Sequence, residues 1–316
     1  MEIAKKRAEI RGFKNIRFIN DSIYNIPELK LGKFDYINCS GVLHHLSSPP
    51  EGLKILQQSL KPEGGMNLMV YAKYGRTAVY QMQDLFKLIN EGVTSRAEEV
   101  KNARIILGKL PQTNWYARSQ DLITDVTSYG DVGIYDLFLH KQDRCYSIPE
   151  LYDFVETAGL NFVQFSETIP RLSIKLDNHI GDPALLEKLK ALPLRKQHEI
   201  SEIITGNIIK HTLYISNTKD PVAKIEDLDN TPIFFGIKDI GLQVFNYLKE
   251  DTYKTNPTLS ININSVFVPQ GMNVNIPLSK LTRSLFENIK DDAKPKPFKE
   301  IFEDMIKKTN LPKKNV

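Results

Sequence analysis

The chain has 316 residues, 41% of them hydrophobic, and a formal net charge of +4 at pH 7. This composition supports a sizeable core and argues against global disorder, and so mild a charge gives no strong nucleic-acid signal. No stretch approaches the roughly 20 consecutive apolar residues of a membrane helix, and the charged N-terminus does not resemble a signal peptide. Only two cysteines occur, Cys39 and Cys145, so we expect a cytoplasmic protein with no disulfide framework and no membrane association.

Predicted helices and strands alternate in the first part of the chain. Residues 2–11 are a charged helical stretch, residues 16–20 alternate apolar and charged β-formers as a strand does, and residues 34–39 are a nearly continuous apolar run. Such a run is typical of a strand that is covered on both faces. Ser48-Pro49-Pro50-Glu51 is a capping box that opens a helix, and a buried strand follows at 66–71. This order predicts right-handed βαβ units and a mostly parallel sheet.

From Gly75 to Tyr146 the pattern is irregularly helical, which indicates an insertion rather than part of the sheet. A second capping box, Ser147-Ile148-Pro149-Glu150, then opens a helix. Predicted strands at 161–166 and 211–216 flank helices over 183–205. This helical detour allows the two strands to pair antiparallel at an edge of the sheet.

Beyond residue 217 the sequence changes in character. It has short apolar segments between polar turns and then helical stretches, at 233–236, 261–268, 278–290 and 297–308. We therefore predict a first domain of residues 1–217, with its insertion at about 75–146, and a small C-terminal domain of residues 218–316.

The segment Phe18-Ile19-Asn20-Asp21-Ser22-Ile23 resembles part of the class I S-adenosylmethionine-dependent methyltransferases, as do two further segments. In that family an acid at the end of this strand accepts a hydrogen bond from the adenine amino group of the cofactor, and a neighbouring backbone amide donates to the ring. The resemblance therefore implies that Asp21, Ser22 and Ile23 bind the cofactor. The alternative is an aspartate that merely starts a turn.

The second segment, Phe34-Asp35-Tyr36-Ile37-Asn38-Cys39-Ser40-Gly41-Val42-Leu43-His44-His45-Leu46, is similar to the family's fourth strand and the loop after it. In the family this strand end meets the methionine part of the cofactor, and open α/β sheets bind ligands at this edge. The resemblance implies cofactor contacts from Cys39, Ser40, Gly41 and Val42, with Gly41 permitting close backbone approach. The alternative is a buried strand with a small-residue turn, in which the cysteine is an inert core thiol.

The third segment, Leu60-Lys61-Pro62-Glu63-Gly64-Gly65-Met66, is similar to the family's turn into the fifth strand and has a structural role. Beyond that strand and at the end of the insertion lie candidate substrate-side residues. They are His44 from the second segment, then Tyr71, Tyr74 and Arg76 at the end of that strand, and Asp136, His140, Gln142, Asp143, Arg144 and Tyr146 in the polar stretch that ends the insertion. Ordinary packing or an internal salt-bridge cluster is the alternative.

His45 is the candidate catalytic residue, as a general base, because imidazole titrates near neutral pH. We predict no metal site for the two adjacent histidines. Neighbouring side chains diverge, and no acidic or cysteine partner lies at ligand spacing in the sequence.

The predicted fold class is α/β: a Rossmann-like methyltransferase sheet missing its first strands, with a helical insertion and a small C-terminal α+β domain. The family begins with a strand, a Gly-x-Gly-type loop and a second strand whose final acid holds the ribose hydroxyls. No Gly-x-Gly occurs near this N-terminus. We therefore expect a fragment, a mis-assigned start or a degenerate relative, with an exposed sheet edge that favours oligomerisation.

The resemblance implies S-adenosyl-L-methionine as cofactor and methyl transfer to an unidentified small-molecule or peptide acceptor, impaired in this chain alone. Alignment of the reactants supplies most of the catalysis in such a displacement, so the sequence does not identify the acceptor. The alternative from another class is a non-catalytic binding or scaffold protein built on a truncated methyltransferase frame. A nicotinamide-dependent Rossmann enzyme fits less well, because its own glycine fingerprint is equally absent.

Overall fold

The computed structural model describes residues 1–120, 123–165, 174–219, 229, 258–265, 268–277, 284–285 and 297–309. The chain forms two compact units, Met1–Pro221 and Val222–Val316. Among the described residues, no helix is both long and apolar enough to cross a membrane.

The first unit combines a mixed sheet with surrounding helices. Its elements are α1 (Glu2–Ile10), β1 (Phe34–Ser40), α2 (Pro49–Ser59), β2 (Leu60–Ala72), α3 (Thr77–Ile89), α4 (Arg96–Leu107), α5 (Trp115–Ser119), α6 (Asp125–Tyr129), α7 (Asp131–Phe138), β3 (Cys145–Tyr146), α8 (Ile148–Thr157), β4 (Asn161–Phe165), two helices at Pro183–Lys190 and Leu194–Thr205, and β5 (Lys210–Ser216).

The sheet has the strand order β1-β2-β5-β4, with β3 paired to the end of β2. Strands β1 and β3 run parallel to β2, whereas β5 runs antiparallel to both β2 and β4. The predicted antiparallel pairing of the last two strands is therefore confirmed. The sheet is mixed rather than mostly parallel, because β5 lies between β2 and β4.

The core of the sheet holds the carboxyl edge in place. Met66, Leu68 and Val70 of β2 are fully buried, as are Leu53 of α2 and Leu151 of α8. Burying a side chain of this size stabilises the fold by about 1.5–3 kcal/mol. The same cluster includes Leu43 and Cys39, so it also anchors the loop that follows β1.

The region predicted as a helical insertion consists of α3 to α7 and ends in β3, which, against the prediction, is part of the sheet. It has a separate cluster of buried residues that includes Val79, Met82, Phe86, Leu137 and Phe138. This second core places the last residues of the insertion next to the end of β2.

The prediction of a strand at 16–20 is wrong, because these residues have no regular secondary structure and are mostly exposed. A strand needs a neighbour to bond its backbone groups. No described strand pairs with this segment.

The expectation that 34–39 is covered on both faces is also wrong. Strand β1 lies at an edge of the sheet formed by the described strands; only Cys39 in it is buried, and Tyr36 is 54% exposed. The apolar run indicated a strand correctly but could not indicate its neighbours.

The two predicted capping boxes have different outcomes. The box at Ser147 and Glu150 is confirmed, and the Ser147 amide donates to Glu150 Oε2 over 2.7 Å. The box at Ser48 is wrong, because its side chain makes no cap bond and its amide donates to Tyr24 Oη over 2.9 Å.

The second unit contains β6 (Thr258–Ser265) and β7 (Val268–Pro277), which pair antiparallel, and a helix at Phe298–Thr309. The predicted helix at 297–308 is thus confirmed. The predicted apolar segment at 233–236 and most of the helical stretch at 278–290 lie outside the described residues.

Candidate functional site

The loop after β1 lies at the carboxyl edge of the sheet. Gly41 has φ +74°, a left-handed conformation that suits glycine, and its amide donates to the Met69 carbonyl of β2 over 3.1 Å. Leu43 to His45 then form a 3-10 turn. Because Leu43 is fully buried in the sheet core, the two histidines beside it are fixed at this edge.

Asp21 lies in a turn that is tied to this loop. Its Oδ1 accepts hydrogen bonds from the Ser22 amide and from Asn25 Nδ2, each over 2.7 Å. Tyr24, on the same turn, places its hydroxyl 3.1 Å from Ser47 Oγ and 2.9 Å from the Ser48 amide that donates to it. The two segments predicted to bind the cofactor are therefore neighbours. Asp21 does start a turn, and its carboxylate is also exposed at the surface.

The remaining predicted cofactor residues differ in exposure. Ser40 and Val42 are exposed, and Ile23 is half-buried against the sheet core. Cys39 is buried, and this burial raises the pKa of its thiol to about 11. The Cys39 side chain therefore acts as a protonated core thiol.

His44 is the most buried of the predicted substrate-side residues. Its exposed fraction is 0%, and its ring packs 4.0 Å from the Tyr71 ring and 4.2 Å from the His45 ring, centroid to centroid. Burial, reinforced by the nearby charges of His45, Arg76 and His140, lowers the pKa of His44 to about 3. His44 is therefore neutral, and neither ring nitrogen has a hydrogen-bond partner among the described residues.

Arg76 packs against the Tyr71 ring, which in turn contacts His44. Its guanidinium carbon lies 3.6 Å from the centre of the Tyr71 ring, and its Nη2 is 3.5 Å from Oδ2 of Asp143. Gln83 Nε2 donates to the same Oδ2 over 2.9 Å and to the Leu137 carbonyl over 2.9 Å. The Asp143 carboxylate is therefore held by Arg76, from the turn after β2, and by Gln83 of α3.

His45 and His140 stack at a centroid distance of 4.1 Å. His45 Nδ1 lies 2.9 Å from the Gln142 carbonyl, which can only accept, so this nitrogen donates and Nε2 carries the lone pair in the neutral ring. His140 Nδ1 accepts from the Gln142 amide over 3.2 Å. The backbone of one residue thus orients both imidazoles.

The structure brings four predicted substrate-side residues, His44, Tyr71, Arg76 and His140, into one cluster with His45. Two others lie at its rim: Tyr74 is 39% exposed, and Arg144 is exposed and donates to the Ser47 carbonyl over 3.1 Å.

Sequence reasoning missed Gln83, although a signal was present. Gln83 is buried on α3 beside the apolar residues Val79, Met82 and Phe86. A polar side chain on a buried helix face needs a partner, and here the partner is Asp143.

A cavity of about 520 Å³ adjoins this cluster. Tyr80, Asp143 and Cys145 line one part of it, and Glu150 and Phe154 of α8 line another. None of the predicted cofactor residues lines this cavity. Arg144, one of the predicted substrate-side residues, also lines it.

Comparison with known proteins finds a family model and a relative that match parts of this chain. Residues 1–128 match the family model of a methyltransferase domain. An uncharacterized protein of Synechococcus sp. is 28% identical over 233 residues, which are 73% of this chain and 54% of that protein.

Two solved structures of PKMT2 from Rickettsia typhi have the same fold. The first matches with a TM-score of 0.56 at 17% identity, over 99% of this chain and 60% of that one. The second, in complex with AdoHcy, has a TM-score of 0.57 at 17% identity, over 98% of this chain and 59% of that one. This chain spans between half and two thirds of the length of these relatives. Residues 1–128 of this chain thus match a methyltransferase domain, and the chain shares its fold with the two PKMT2 structures.

Proposed function

We propose that this chain transfers a methyl group from S-adenosyl-L-methionine to an acceptor. The observation that carries the proposal is the Gly41 loop at the carboxyl edge of the sheet, tied through Tyr24 to the exposed turn at Asp21. Both segments lie within the residues that match the methyltransferase family. The AdoHcy complex of a protein with the same fold supports this cofactor.

In the proposed reaction a nucleophilic atom of the acceptor attacks the sulfonium methyl group. A new bond forms to the methyl carbon, the carbon–sulfur bond breaks, and S-adenosylhomocysteine leaves as a neutral thioether. Alignment supplies most of the rate, because holding the two partners in line replaces a bimolecular encounter. A small-molecule or peptide acceptor would occupy the cavity of about 520 Å³ that Asp143 and Arg144 line. His45 Nε2 is the candidate to receive a proton from the acceptor.

Equilibrium binding of S-adenosyl-L-methionine to the purified chain, followed by calorimetry, tests the cofactor site. In Asp21→Asn the amide oxygen can still accept in the turn, but the charge that favours the adenine amino group is lost. We expect the dissociation constant to rise by about tenfold, equivalent to about 1.4 kcal/mol. Asp35→Asn is the control, because Asp35 is an exposed carboxylate at the opposite end of β1 and pairs with Lys61.

The main alternative is a non-catalytic scaffold built on the same frame. Strand β1 forms an exposed sheet edge, which is a ready surface for another chain. The chain also has no Gly-x-Gly before β1, which leads us to propose weak cofactor binding and impaired transfer by this chain alone. No detectable binding at millimolar S-adenosyl-L-methionine would favour the scaffold.

We further propose a cytoplasmic location, on the ground that Cys39 and Cys145 are both free thiols.

A further inference from the structure

Three metal-ligating side chains meet where the loop after β1 approaches the end of the insertion. His44, His45 and Asp143 each offer one ligand atom, and these three atoms lie within 4.8 Å of one another. Ligands of a tetrahedral zinc ion at about 2.1 Å are roughly 3.4 Å apart, so small side-chain rotations close the set. We propose that His44, His45 and Asp143 bind a divalent transition-metal ion of the Zn²⁺ class.

His44 provides an independent observation in favour of a ligand. The side chain is completely buried, and both ring nitrogens lack a hydrogen-bond partner among the described residues. Buried polar groups in native proteins are almost always satisfied, so an imidazole with neither nitrogen bonded needs an explanation. Coordination of a metal ion would satisfy one of these two nitrogens.

His45 is oriented in the manner typical of a ligand. Metal-bound histidines usually donate their other ring N–H to a carbonyl or carboxylate, which fixes the ring and its tautomer. His45 Nδ1 makes this bond with the Gln142 carbonyl over 2.9 Å. The lone pair of Nε2 is thereby left for coordination, and in this arrangement His45 acts as a ligand in place of a general base.

Asp143 completes the set with a free carboxylate oxygen. Its Oδ2 accepts from Gln83 over 2.9 Å, whereas its Oδ1 is buried and has no hydrogen-bond partner in the described parts of the chain. Gln83 thus holds one oxygen while the other remains available.

The ligand set decides the class of ion. Two imidazoles with one carboxylate suit Zn²⁺, Co²⁺ or Fe²⁺, whereas Mg²⁺ and Ca²⁺ prefer all-oxygen sites. Three protein ligands leave a coordination position for water or for a polar group of a substrate.

Arg76, whose Nη2 is 3.5 Å from Asp143 Oδ2, opposes a cation by like charge. Arg76→Gln is therefore expected to tighten metal binding, whereas it would weaken binding of an anion to the same cluster.

Titration of the whole chain with Co²⁺, after treatment with a chelator, tests the site through the visible absorption of the bound ion. We expect saturation at one ion per chain and displacement by Zn²⁺. His45→Ala and Asp143→Asn are each expected to weaken Co²⁺ binding by about tenfold or more. His140→Ala is the matched control, because this ring stacks on His45 but lies outside the trio, and its effect should stay below about threefold.

Two outcomes overturn the proposal: no saturable Co²⁺ absorption by the folded wild-type chain, or equal losses in His45→Ala and His140→Ala. Circular dichroism checks that each variant is folded. If Asp143→Asn does not fold, the half-buried His45 carries the test. Because the absorption of Co²⁺ requires no S-adenosyl-L-methionine, failure of the metal site is distinguishable from failure of the proposed function.

Discussion

A single buried carboxylate, Glu202, joins three parts of the first unit. Its Oε2 accepts from the Ile148 amide at the start of α8 over 2.8 Å, and its Oε1 lies 3.0 Å from His211 Nε2 on β5. Both side chains of this contact have an exposed fraction of 0%. Glu202 therefore accepts the hydrogen bond of a buried amide and places its second oxygen beside a buried histidine.

We expect Glu202→Ala to lower the free energy of unfolding by about 3 kcal/mol, because it leaves the buried Ile148 amide without its acceptor and removes the carboxylate beside His211. Urea unfolding followed by circular dichroism measures the change. Glu199→Ala on the same helix is the control, since its partner Lys196 is 60% exposed and such a surface pair contributes at most about 1 kcal/mol. Equal losses in the two variants would contradict the assignment.

The sequence could identify candidate side chains but not their mutual contacts. Tyr71, Arg76 and His140 were predicted as separate candidates, and each lies in the cluster around His44. The contact between the histidines and Asp143 depends on how the insertion folds back onto β2. No spacing rule along the chain encodes that path, so a metal site was not predicted.

At the scale of elements, the turn after β2 depends on Gly75. Its amide donates to the Ile208 carbonyl over 3.1 Å, and a Cβ added to it would lie 2.2 Å from that same oxygen. The two backbones approach so closely that only glycine fits without movement. This contact positions the adjacent Arg76 against Tyr71.

Gly75→Ala is expected to force the turn away from Ile208 and to destabilise the fold by about 2 kcal/mol. Thermal unfolding measures this loss as a lower Tm. Gly108→Ala is the control at the end of α4, where a Cβ would be 3.4 Å from its nearest atom and φ is −71°. It should leave the Tm unchanged or raise it slightly. A Tm for Gly75→Ala equal to that of the control would show that the turn tolerates a side chain.

Elements whose signals are local were predicted best. The capping box at Ser147 involves only residues three apart, and it forms as expected. The predicted capping box at Ser48 does not form, because the Ser48 amide donates to the hydroxyl of Tyr24, which is distant in sequence. Residues 16–20 have the composition of a strand, but strand formation requires a partner that composition cannot supply.

At the scale of the whole molecule, β1 leaves one edge of the sheet without a paired strand among the described residues. Its side chains include Phe34, 37% exposed, and Tyr36, 54% exposed. Unpaired backbone groups beside exposed aromatic side chains favour pairing with another strand. We propose that a second copy of this chain pairs along β1, as the expected oligomerisation through a sheet edge implies.

Sedimentation velocity over a range of protein concentrations tests this pairing, and the sedimentation coefficient should rise with concentration. Tyr36→Lys puts a charge into the edge, which natural sheets use to block pairing, and is expected to weaken self-association by about tenfold. Tyr129→Lys introduces the same change at a tyrosine that is 68% exposed on α6, away from the edge, and should have no effect. A wild-type chain that stays monomeric at every concentration, or two variants that dissociate equally, would show that β1 does not mediate self-association. If the wild-type chain stays monomeric, the exposed edge of β1 is still available for pairing with a different chain, as the scaffold alternative requires.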